Sequence, residues 1–369
     1  MPSEEPSLLP DAPMRRVLGP QRGHCHPAMC VLSWSTNESD LFDDIQPMRA
    51  ITYTEYGPPD VLQFTEVAKP TPKDNEVLIR VRAASVNPLD WHYMRGTPYI
   101  VRIQAGLRKP KATRLGVDVA GQVEAVGKNV THFQSGDEVF GACKGAFSEY
   151  VCASEGVLVL KPANVTFEQA AAVPVAAFTA LQGLRDKGQI QPGQRVLING
   201  ASGGVGTFAV QIAKWFGAEV TGVCSTRNVD MVRSIGANHV VDYTQEDFTK
   251  SGQRYDLIFD SVGNHSLSDT RHALTPEGTL VLVGGPDKGR WLGPLTGVLK
   301  AVVLSRCVSQ KLLPFLAHLS KDDLIVMQEL LEARKVTPVI DRSYPLSDVP
   351  EAIRYLEEGH ARGKVVITV

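Results

Sequence analysis

The sequence predicts an α/β protein in which a doubly wound parallel sheet is joined to a second, mostly antiparallel, barrel-like domain. A short buried strand, residues 196–198, runs through a glycine-rich turn into a helix. Further strand-like runs alternate with helix-competent sequence after this turn, which is typical of a parallel sheet. Residues 48–170 instead contain short strands and turns, which favour antiparallel architecture.

The glycine-rich turn is the best-defined element of the sequence. Residues 196–198 are too few for a helix, whereas Val205, Ala209 and Ile212 recur at helical spacing, so a helix begins near Gly204. Glycines at such a junction permit a tight turn, a close approach of the backbone to a pyrophosphate, and close packing of helix on strand. The unpaired amides of the helix N-terminus then face the phosphates.

The turn carries an incomplete G-x-G-x-x-G fingerprint, in which Ala201 takes the first glycine position. A bare match is a weak signal, but residues 219–224 form a second strand where a βαβ unit of about 30 residues should end. Runs at residues 239–243, 255–260 and 278–283 continue the alternation, which indicates right-handed crossovers. The alternative is that the segment is only a tight turn. The predicted phosphate contacts are Ala201, Ser202, Gly203, Gly204, Val205 and Gly206.

The tip of the second strand predicts which dinucleotide binds. NAD-binding proteins usually place a carboxylate about 20 residues after the turn, where it accepts a hydrogen bond from the ribose 2′-hydroxyl. Residues 224–228 contain no acid, while Ser225 and Arg227 suit a 2′-phosphate, so NADPH is favoured over NADH. Tyr243, after the third strand, could cover the adenine. Arg227 could instead be an ordinary surface arginine, and Tyr243 could simply pack.

Length and composition are those of a soluble globular protein with two domains. The 369 residues are 43% hydrophobic and 21% charged, and the net charge is −2. No basic stripe indicates nucleic acid, and no apolar run is long enough to span a bilayer, since the nearest, residues 169–184, contains Pro174. The six cysteines are scattered and follow no secretory signal, so we expect reduced thiols in a cytoplasmic protein.

The domain boundaries follow from changes in composition. Residues 1–47 are rich in proline and acidic side chains and are predicted to be a disordered extension. Within them, the histidines and cysteines of residues 24–30 lack the paired spacing of a zinc site. Strand-like residues 336–340 and 364–369 suggest that the C-terminus returns to the first domain. The prediction is a catalytic domain of residues 48–170 and 315–369, an inserted dinucleotide-binding domain of residues 171–314, and an active site in the cleft between them.

Several motifs, in this order, resemble the medium-chain dehydrogenase/reductase superfamily. They are AASVNP at residues 83–88, GVDVAG at 116–121, NGASGGVG at 199–206 and GANHVVDY at 236–243, and the resemblance runs from about Met48 to Val369. Within the superfamily, the chain is similar to the zinc-independent quinone oxidoreductases, the branch that includes zeta-crystallin. The resemblance implies a Rossmann dinucleotide-binding domain and a GroES-like catalytic domain.

The zinc alcohol dehydrogenases of this superfamily differ at the positions that bind the catalytic metal. They have a cysteine where this chain has Asn87, and a His-Glu pair where it has Val117 and Asp118. The four-cysteine lobe for structural zinc is also missing, so the comparison implies that no zinc is bound. Without a Lewis acid, alcohol oxidation loses its main electrostatic assistance, whereas a substrate that is already electrophilic does not need it.

The resemblance therefore implies NADPH-dependent reduction of a quinone or an α,β-unsaturated carbonyl. Negative charge that develops on the substrate oxygen needs hydrogen-bond donors. Asn87 takes the position that the family places beside substrate and nicotinamide, and His92 and Tyr93 are candidate proton donors or oxygen contacts. Either of these two could instead be a polar residue lining the cleft. Thr179 matches a position near the nicotinamide or is merely packed, and Asp118 is interpreted as a buried residue that fixes Asn87 or a turn.

Two other functions fit the same residues. One is a zinc-free, NADP-dependent alcohol dehydrogenase or aldehyde reductase, and the other is a non-catalytic NADPH-binding protein. Residues 99–114 and 290–310 are expected to line or cover the cleft for a small-molecule substrate that the sequence does not identify. Residues 292–308 are apolar enough to form a homodimer contact, and internal helix packing explains them equally well.

Overall fold

Two large β-sheets organise the computed structural model, which describes residues 46–284 and 308–369. Residues 1–45 and 285–307 lie outside the described part, and with them the histidines and cysteines of residues 24–30 and most of the predicted dimer contact. The strands are Pro47–Thr52 (β1), Gln63–Ala68 (β2), Glu76–Val86 (β3), Asp118–Val126 (β4), Glu138–Ala142 (β5), Tyr150–Ser154 (β6), Leu158–Leu160 (β7), Arg195–Asn199 (β8), Glu219–Cys224 (β9), His239–Asp242 (β10), Tyr255–Asp260 (β11), Leu274–Leu282 (β12), Lys311–Pro314 (β13), Ile340–Pro345 (β14) and Lys364–Thr368 (β15).

Short helices connect the strands. The α-helices of the described residues are Pro88–Arg95 (α1), Val101–Ala105 (α2), Phe167–Ala171 (α3), Pro174–Gln182 (α4), Gly204–Trp215 (α5), Val229–Ser234 (α6), Leu267–His272 (α7), Lys321–Glu332 (α8) and Val349–Glu357 (α9). The apolar run of residues 169–184 is divided between two helices: α3 ends before Pro174, and α4 begins with it, where its missing N–H costs no hydrogen bond. None of the helices in the described ranges is long and apolar enough to cross a membrane.

The parallel sheet is buried on both faces. Its strand order is β10-β9-β8-β11-β12-β13, and all of its pairings are parallel. In β8, Val196 and Ile198 join one hydrophobic core with residues of α4 and α5, whereas Leu197 joins another core that contains Phe248. Strands covered on both faces need continuous apolar runs. The predicted doubly wound parallel sheet is therefore confirmed.

The second sheet is mostly antiparallel, as predicted. Its order is β14-β15-β3-β4-β5-β7, with β6 also paired to β3. The C-terminal strand β15 runs antiparallel to β3, with Val365 opposite Val86, so the end of the chain returns to the sheet built from its first part. One hydrophobic core contains residues of both sheets, such as Ala83 and Phe140 of the antiparallel sheet and Ile198 of the parallel one.

One predicted strand is displaced. Sequence patterning places a strand at residues 336–340, whereas β14 begins at Ile340 and continues to Pro345. Pro338 has no N–H to donate to a sheet, so the apolar residues around it do not extend the ladder. The carbonyl oxygen of Val339 instead accepts a hydrogen bond of 2.8 Å from the amide of Lys364. This contact fixes the start of β15.

Candidate active site

The glycine-rich turn joins β8 to α5 and gives its glycines different roles. Gly200 has a φ of +86°, so this residue makes the tight turn that the fingerprint assigns to the position of Ala201. A Cβ atom on Gly206 would overlap the carbonyl oxygen of Gly200, so only glycine lets α5 pack this closely. At Gly203 the nearest described atom to such a Cβ lies 3.4 Å away. The space beside Gly203 is therefore open to a ligand.

Asn228 links this turn to the tip of β9. The side chain is 4% exposed, and its Nδ2 donates hydrogen bonds of 3.1 Å to the hydroxyl oxygens of Ser202 and Ser225. Its Oδ1 is buried and has no partner among the described residues. Buried polar atoms are nearly always hydrogen-bonded. The unpaired Oδ1 therefore fits a site that a polar ligand completes.

The predicted specificity residues lie at the tips of neighbouring strands. The Tyr243 amide donates to the Cys224 carbonyl at 3.0 Å, which brings Tyr243 to the edge that carries Ser225, and its side chain is 57% exposed. Arg227 is exposed, and its Nη2 donates to the His360 carbonyl at 2.8 Å.

Asp242 is an acid that sequence analysis did not consider at this edge, although it ends β10 directly before Tyr243. Its carboxylate accepts hydrogen bonds from the hydroxyls of Thr226 and Thr244 at 2.6 and 2.7 Å, and from Nε2 of Gln245 at 2.9 Å. These bonds, with the Thr226 bond the strongest, lower the pKa of Asp242 below its usual value. Asp242 is therefore engaged by its own loop.

A buried polar cluster lies where β3, β4 and β15 meet. Nδ2 of Asn87 donates to Oδ2 of Asp118 at 2.8 Å and, more weakly, to the Ser85 carbonyl at 3.4 Å. The Lys364 ammonium donates to Oδ1 of Asn87 at 2.6 Å and lies 3.4 Å from Oδ2 of Asp118. These side chains are at most 3% exposed. Both ends of the Asn87 carboxamide are therefore held by charged groups.

Asp118 connects this cluster to α4. Its Oδ2 also accepts a hydrogen bond of 2.6 Å from the Ser85 hydroxyl, and its Oδ1 accepts one of 3.0 Å from the Val175 amide in the first turn of α4. One turn further along α4, the Thr179 hydroxyl donates to the Val175 carbonyl at 2.7 Å. Asp118 is thus the buried hydrogen-bonding residue that the sequence suggested, and it ties Asn87 to the helix that carries Thr179.

Asp90 supports Asn87 from the first turn of α1. Its Oδ2 accepts a hydrogen bond of 2.8 Å from the backbone N–H of Asn87, and its Oδ1 accepts one of 3.2 Å from the backbone N–H of Gly116. Burial raises the pKa of Asp90 to about 7, against the opposing effect of these hydrogen bonds. Burial likewise lowers the pKa of Lys364, while Asp118 and Asp90 oppose that shift.

His92 and Tyr93 lie on α1, one turn after Asn87, and both are half-buried. Nδ1 of His92 is 2.7 Å from the Thr97 carbonyl, so that nitrogen carries the hydrogen, and the imidazole ring contacts the Trp91 ring at a tilt of 31°. The Tyr93 ring packs against the core of the antiparallel sheet. The contact of either residue with a substrate stays a prediction.

Lys364, the central residue of this cluster, was missed by the sequence analysis. The segment around it lies beside the glycine-rich turn. Gly363 forms a parallel bridge with Gly203, and an added Cβ on Gly204 would lie 3.1 Å from Cδ of Lys364. The signal that could have identified it is a lysine at the start of an otherwise apolar terminal strand. A charged side chain buried there needs a partner.

The donor set around Asn87 does not fit zinc. Within residues 46–284 and 308–369, no three His, Cys, Asp or Glu side chains are grouped to hold a metal. The Lys364 ammonium already places a cation on Oδ1 of Asn87 and near Asp118. A second cation there would be repelled, and an amide and a single carboxylate are poor zinc ligands.

Comparison with known proteins matches this architecture. Residues 73–163 match the alcohol dehydrogenase GroES-like domain family, and residues 235–367 match a family described as zinc-binding dehydrogenase. A quinone-oxidoreductase homolog from spinach chloroplasts is 35% identical over 340 residues, covering 87% of this chain and 98% of the relative. An NADPH-dependent alkenal/one oxidoreductase from Arabidopsis thaliana chloroplasts is 33% identical, covering 87% and 79%. The quinone oxidoreductase structure from Coxiella burnetii has a TM-score of 0.76 at 31% identity, covering 88% and 100%.

Fold and site together define an oxidoreductase with a Rossmann sheet and a GroES-like sheet. The chain belongs to the medium-chain dehydrogenase/reductase superfamily, in the branch of the quinone oxidoreductases. The resemblance seen in the sequence is thereby confirmed. The two plant relatives are chloroplastic by name, so the cytoplasmic location stays a prediction.

Proposed function

We propose that the protein is a zinc-independent, NADPH-dependent reductase of quinones or α,β-unsaturated carbonyls. The observation that carries the proposal is a carboxamide donor, Asn87, held by a buried ammonium and a carboxylate beside the dinucleotide turn. This arrangement offers a hydrogen bond to a substrate oxygen and no metal ligand set. It suits a substrate whose reacting carbon is already electron-poor.

The residues of the turn would hold the dinucleotide. The open space at Gly203 and the amides at the start of α5 suit a pyrophosphate, and the unpaired Oδ1 of Asn228 suits a ribose hydroxyl. Thr179, on the helix tied to Asp118, would line the nicotinamide end. When bound, NADPH supplies the hydride.

The preference for NADPH rests on Arg227 and Ser225. The exposed guanidinium provides a positive charge at the tip of β9, where the 2′-phosphate is expected, and Ser225 adds a hydroxyl. The Asp242 oxygens accept hydrogen bonds from Thr226, Thr244 and Gln245, so they are engaged within their own loop and not offered to the ribose 2′-hydroxyl of NADH. Tyr243 is exposed beside them and available to an adenine.

Asn87 would stabilise the substrate oxygen. One of its amide hydrogens is committed to Asp118 at 2.8 Å, whereas the other makes only a long contact of 3.4 Å with the Ser85 carbonyl. That second N–H can instead donate its hydrogen bond to a stronger acceptor, such as a substrate oxygen that gains negative charge. His92 and Tyr93 are the candidate proton donors from the following helix. The names of the spinach and Arabidopsis relatives support the same two substrate classes.

Turnover with NADPH deuterated at C4 tests this function. Quinones, enones and aldehydes are assayed with this NADPH, and alcohols with NADP⁺, each with and without a strong zinc chelator. We expect either transfer of deuterium to the acceptor carbon of an enone, or reduction of a quinone that the chelator does not inhibit. Activity on aldehydes and alcohols should be low. Activity confined to alcohols and aldehydes would contradict the proposal. So would activity that the chelator abolishes, or cofactor binding without turnover of any acceptor.

A further inference from the structure

The proposed function uses Lys364 only as the ammonium that lies 2.6 Å from Oδ1 of Asn87, and the effect of that charge on the reduction follows from the neighbouring groups. We propose that Lys364 is a positioning residue for substrate reduction: it holds Oδ1 of Asn87 and balances the charge of Asp118, so that the second amide hydrogen of Asn87 meets the substrate oxygen in a locally neutral site. The proposal rests on the function proposed above.

The chemistry of the two partners determines the orientation of the carboxamide. An ammonium has only donors, so the Asn87 atom at 2.6 Å from Nζ of Lys364 must be the acceptor Oδ1. An ionised carboxylate has only acceptors, so the atom at 2.8 Å from Asp118 must be the donor Nδ2. Hydrogen bonds to charged groups at both ends polarise the amide and make its remaining N–H a stronger donor.

The charge of Asp118 gives Lys364 a second effect. A buried carboxylate this close to Asn87 would oppose negative charge on the substrate oxygen, because interactions in a buried site are weakly screened. The ammonium at 3.4 Å offsets that charge. Asp90, on α1, also acts on the ammonium, and its pKa of about 7 leaves it partly protonated near neutral pH.

The neighbouring backbone fixes the lysine in place. Its stem passes Gly204, its Nζ is also 3.4 Å from the Val86 carbonyl, and its backbone is held by the pairing of β15 with β3. The lysine therefore reaches Asn87 from β15, the C-terminal strand, and is not part of the glycine-rich turn. Removing its ammonium should disturb the Asn87 carboxamide more than it disturbs binding of the dinucleotide.

A double-mutant cycle of Lys364→Met and Asn87→Ala tests the proposal. Asn87→Ala should lower kcat by a factor of about 10² to 10³, as expected for the loss of one oxyanion donor. Lys364→Met alone should lower kcat about 10²-fold with a change of less than about threefold in KM for NADPH. In the Asn87→Ala background it should lower kcat by less than about threefold, because the group it acts through is gone. Losses that multiply would overturn the proposal, as would wild-type kcat in Lys364→Met.

Two variants distinguish a positioning effect of Lys364 on Asn87 from a loss of kcat that disturbance of the fold would cause. Lys364→Met leaves the Asp118 charge buried and unpaired, so Lys364→Met/Asp118→Asn removes both charges and should recover at least tenfold in kcat over Lys364→Met. Lys161→Met is the matched control: that lysine is 6% exposed and bound to Glu138, outside the cluster, so its loss should leave kcat near wild type. No recovery in the double variant, or an equal kcat loss in the control, would overturn the positioning role.

A readout without turnover distinguishes this proposal from the proposed function. In protein labelled with ¹⁵N-asparagine, the side-chain amide signals of Asn87 are those missing from Asn87→Ala. We expect Lys364→Met to shift both of these signals, whereas Lys161→Met should not. Shifted signals in a protein that reduces no acceptor would contradict the proposed function and leave the Lys364 contact supported. Unshifted signals in an active reductase would contradict the Lys364 proposal alone.

Discussion

Asp90 shows what burial does to a single carboxyl group. In the unfolded chain its pKa should be about 3.9, whereas in the folded protein burial raises the pKa to about 7. Between these values the folded state binds more protons than the unfolded state, so its stability falls as pH rises. The protonated group contributes fully below the unfolded pKa, and that contribution is lost as pH approaches the folded pKa of about 7.

Denaturant unfolding of Asp90→Asn from about pH 4 to pH 8 measures this effect. We expect the free energy of unfolding of the wild type to fall over this range relative to that of Asp90→Asn, which has no carboxyl to titrate. Asp230→Asn, on the exposed side of α6, is the control and should follow the wild-type pH dependence. Parallel curves for wild type and Asp90→Asn would contradict the assigned pKa.

Replacing Arg227 should change the preference for NADPH over NADH. Arg227→Ala should raise the Kd for NADPH by roughly tenfold or more, because a charge-assisted hydrogen bond to the 2′-phosphate contributes about 1.5–3 kcal/mol. The Kd for NADH should change little, since NADH lacks that phosphate. Arg233→Ala on α6 is a matched loss of an exposed arginine and should leave both constants unchanged. Titration by calorimetry decides the matter: an unaltered NADPH to NADH ratio in Arg227→Ala would refute the assignment.

The strand-turn-helix element gives its glycines separable functions. Gly206→Ala should lower Tm, because its Cβ would overlap the carbonyl oxygen of Gly200 and push α5 away from the turn. Gly203→Ala should leave Tm nearly unchanged, because its Cβ would lie 3.4 Å from the nearest described atom. It should nevertheless raise the Kd for NADPH, since it fills the space that a pyrophosphate needs. Thermal unfolding and cofactor titration of the two variants test this division. A Gly203→Ala variant that binds NADPH like the wild type would show that the phosphates lie elsewhere.

Elements that are locally determined could be predicted from the sequence. Residues 219–224 and 255–260 were correctly identified as strands because they are short, mostly buried segments that alternate with helix-competent sequence. The start of α5 at Gly204 followed from a change of apolar period. The strand predicted at residues 336–340 was wrong because Pro338 interrupts the ladder, and the tight turn lies at Gly200, not at the fingerprint position of Ala201.

Side chains that depend on distant partners could not be predicted. Lys364 binds Asn87 across 277 positions of sequence, and Arg227 binds the His360 carbonyl across 133. The spacing of residues near either partner contains no trace of such contacts, because they exist only after the last strand has paired with β3. Local patterns therefore located the glycine turn, the family resemblance pointed to Asn87 and to Asp118 as its support, and tertiary pairing alone revealed the contact with Lys364.

At the scale of the whole molecule, the C-terminal segment connects the two sheets. β15 is paired within the antiparallel sheet, while Gly363, just before it, bridges to Gly203 of the dinucleotide turn. The His360 carbonyl binds Arg227 at the tip of β9. A dinucleotide that contacts the turn and Arg227 would therefore stabilise both sheets together. Its binding should raise the free energy of unfolding of both sheets in a single transition.

Thermal unfolding in the presence of cofactors tests this coupling. A ligand at one hundred times its Kd adds about 2.7 kcal/mol to the folded state, which for a chain of this size raises Tm by roughly 4 °C. We expect NADPH to produce a single transition shifted by this amount, and NADH at the same concentration to produce a smaller shift, because it cannot use Arg227. In Arg227→Ala the NADPH shift should fall to the NADH value, while Arg233→Ala keeps the wild-type shift. Equal wild-type shifts with the two dinucleotides would contradict the NADPH preference. A transition that splits on NADPH binding would mean that the cofactor stabilises one sheet and not the other.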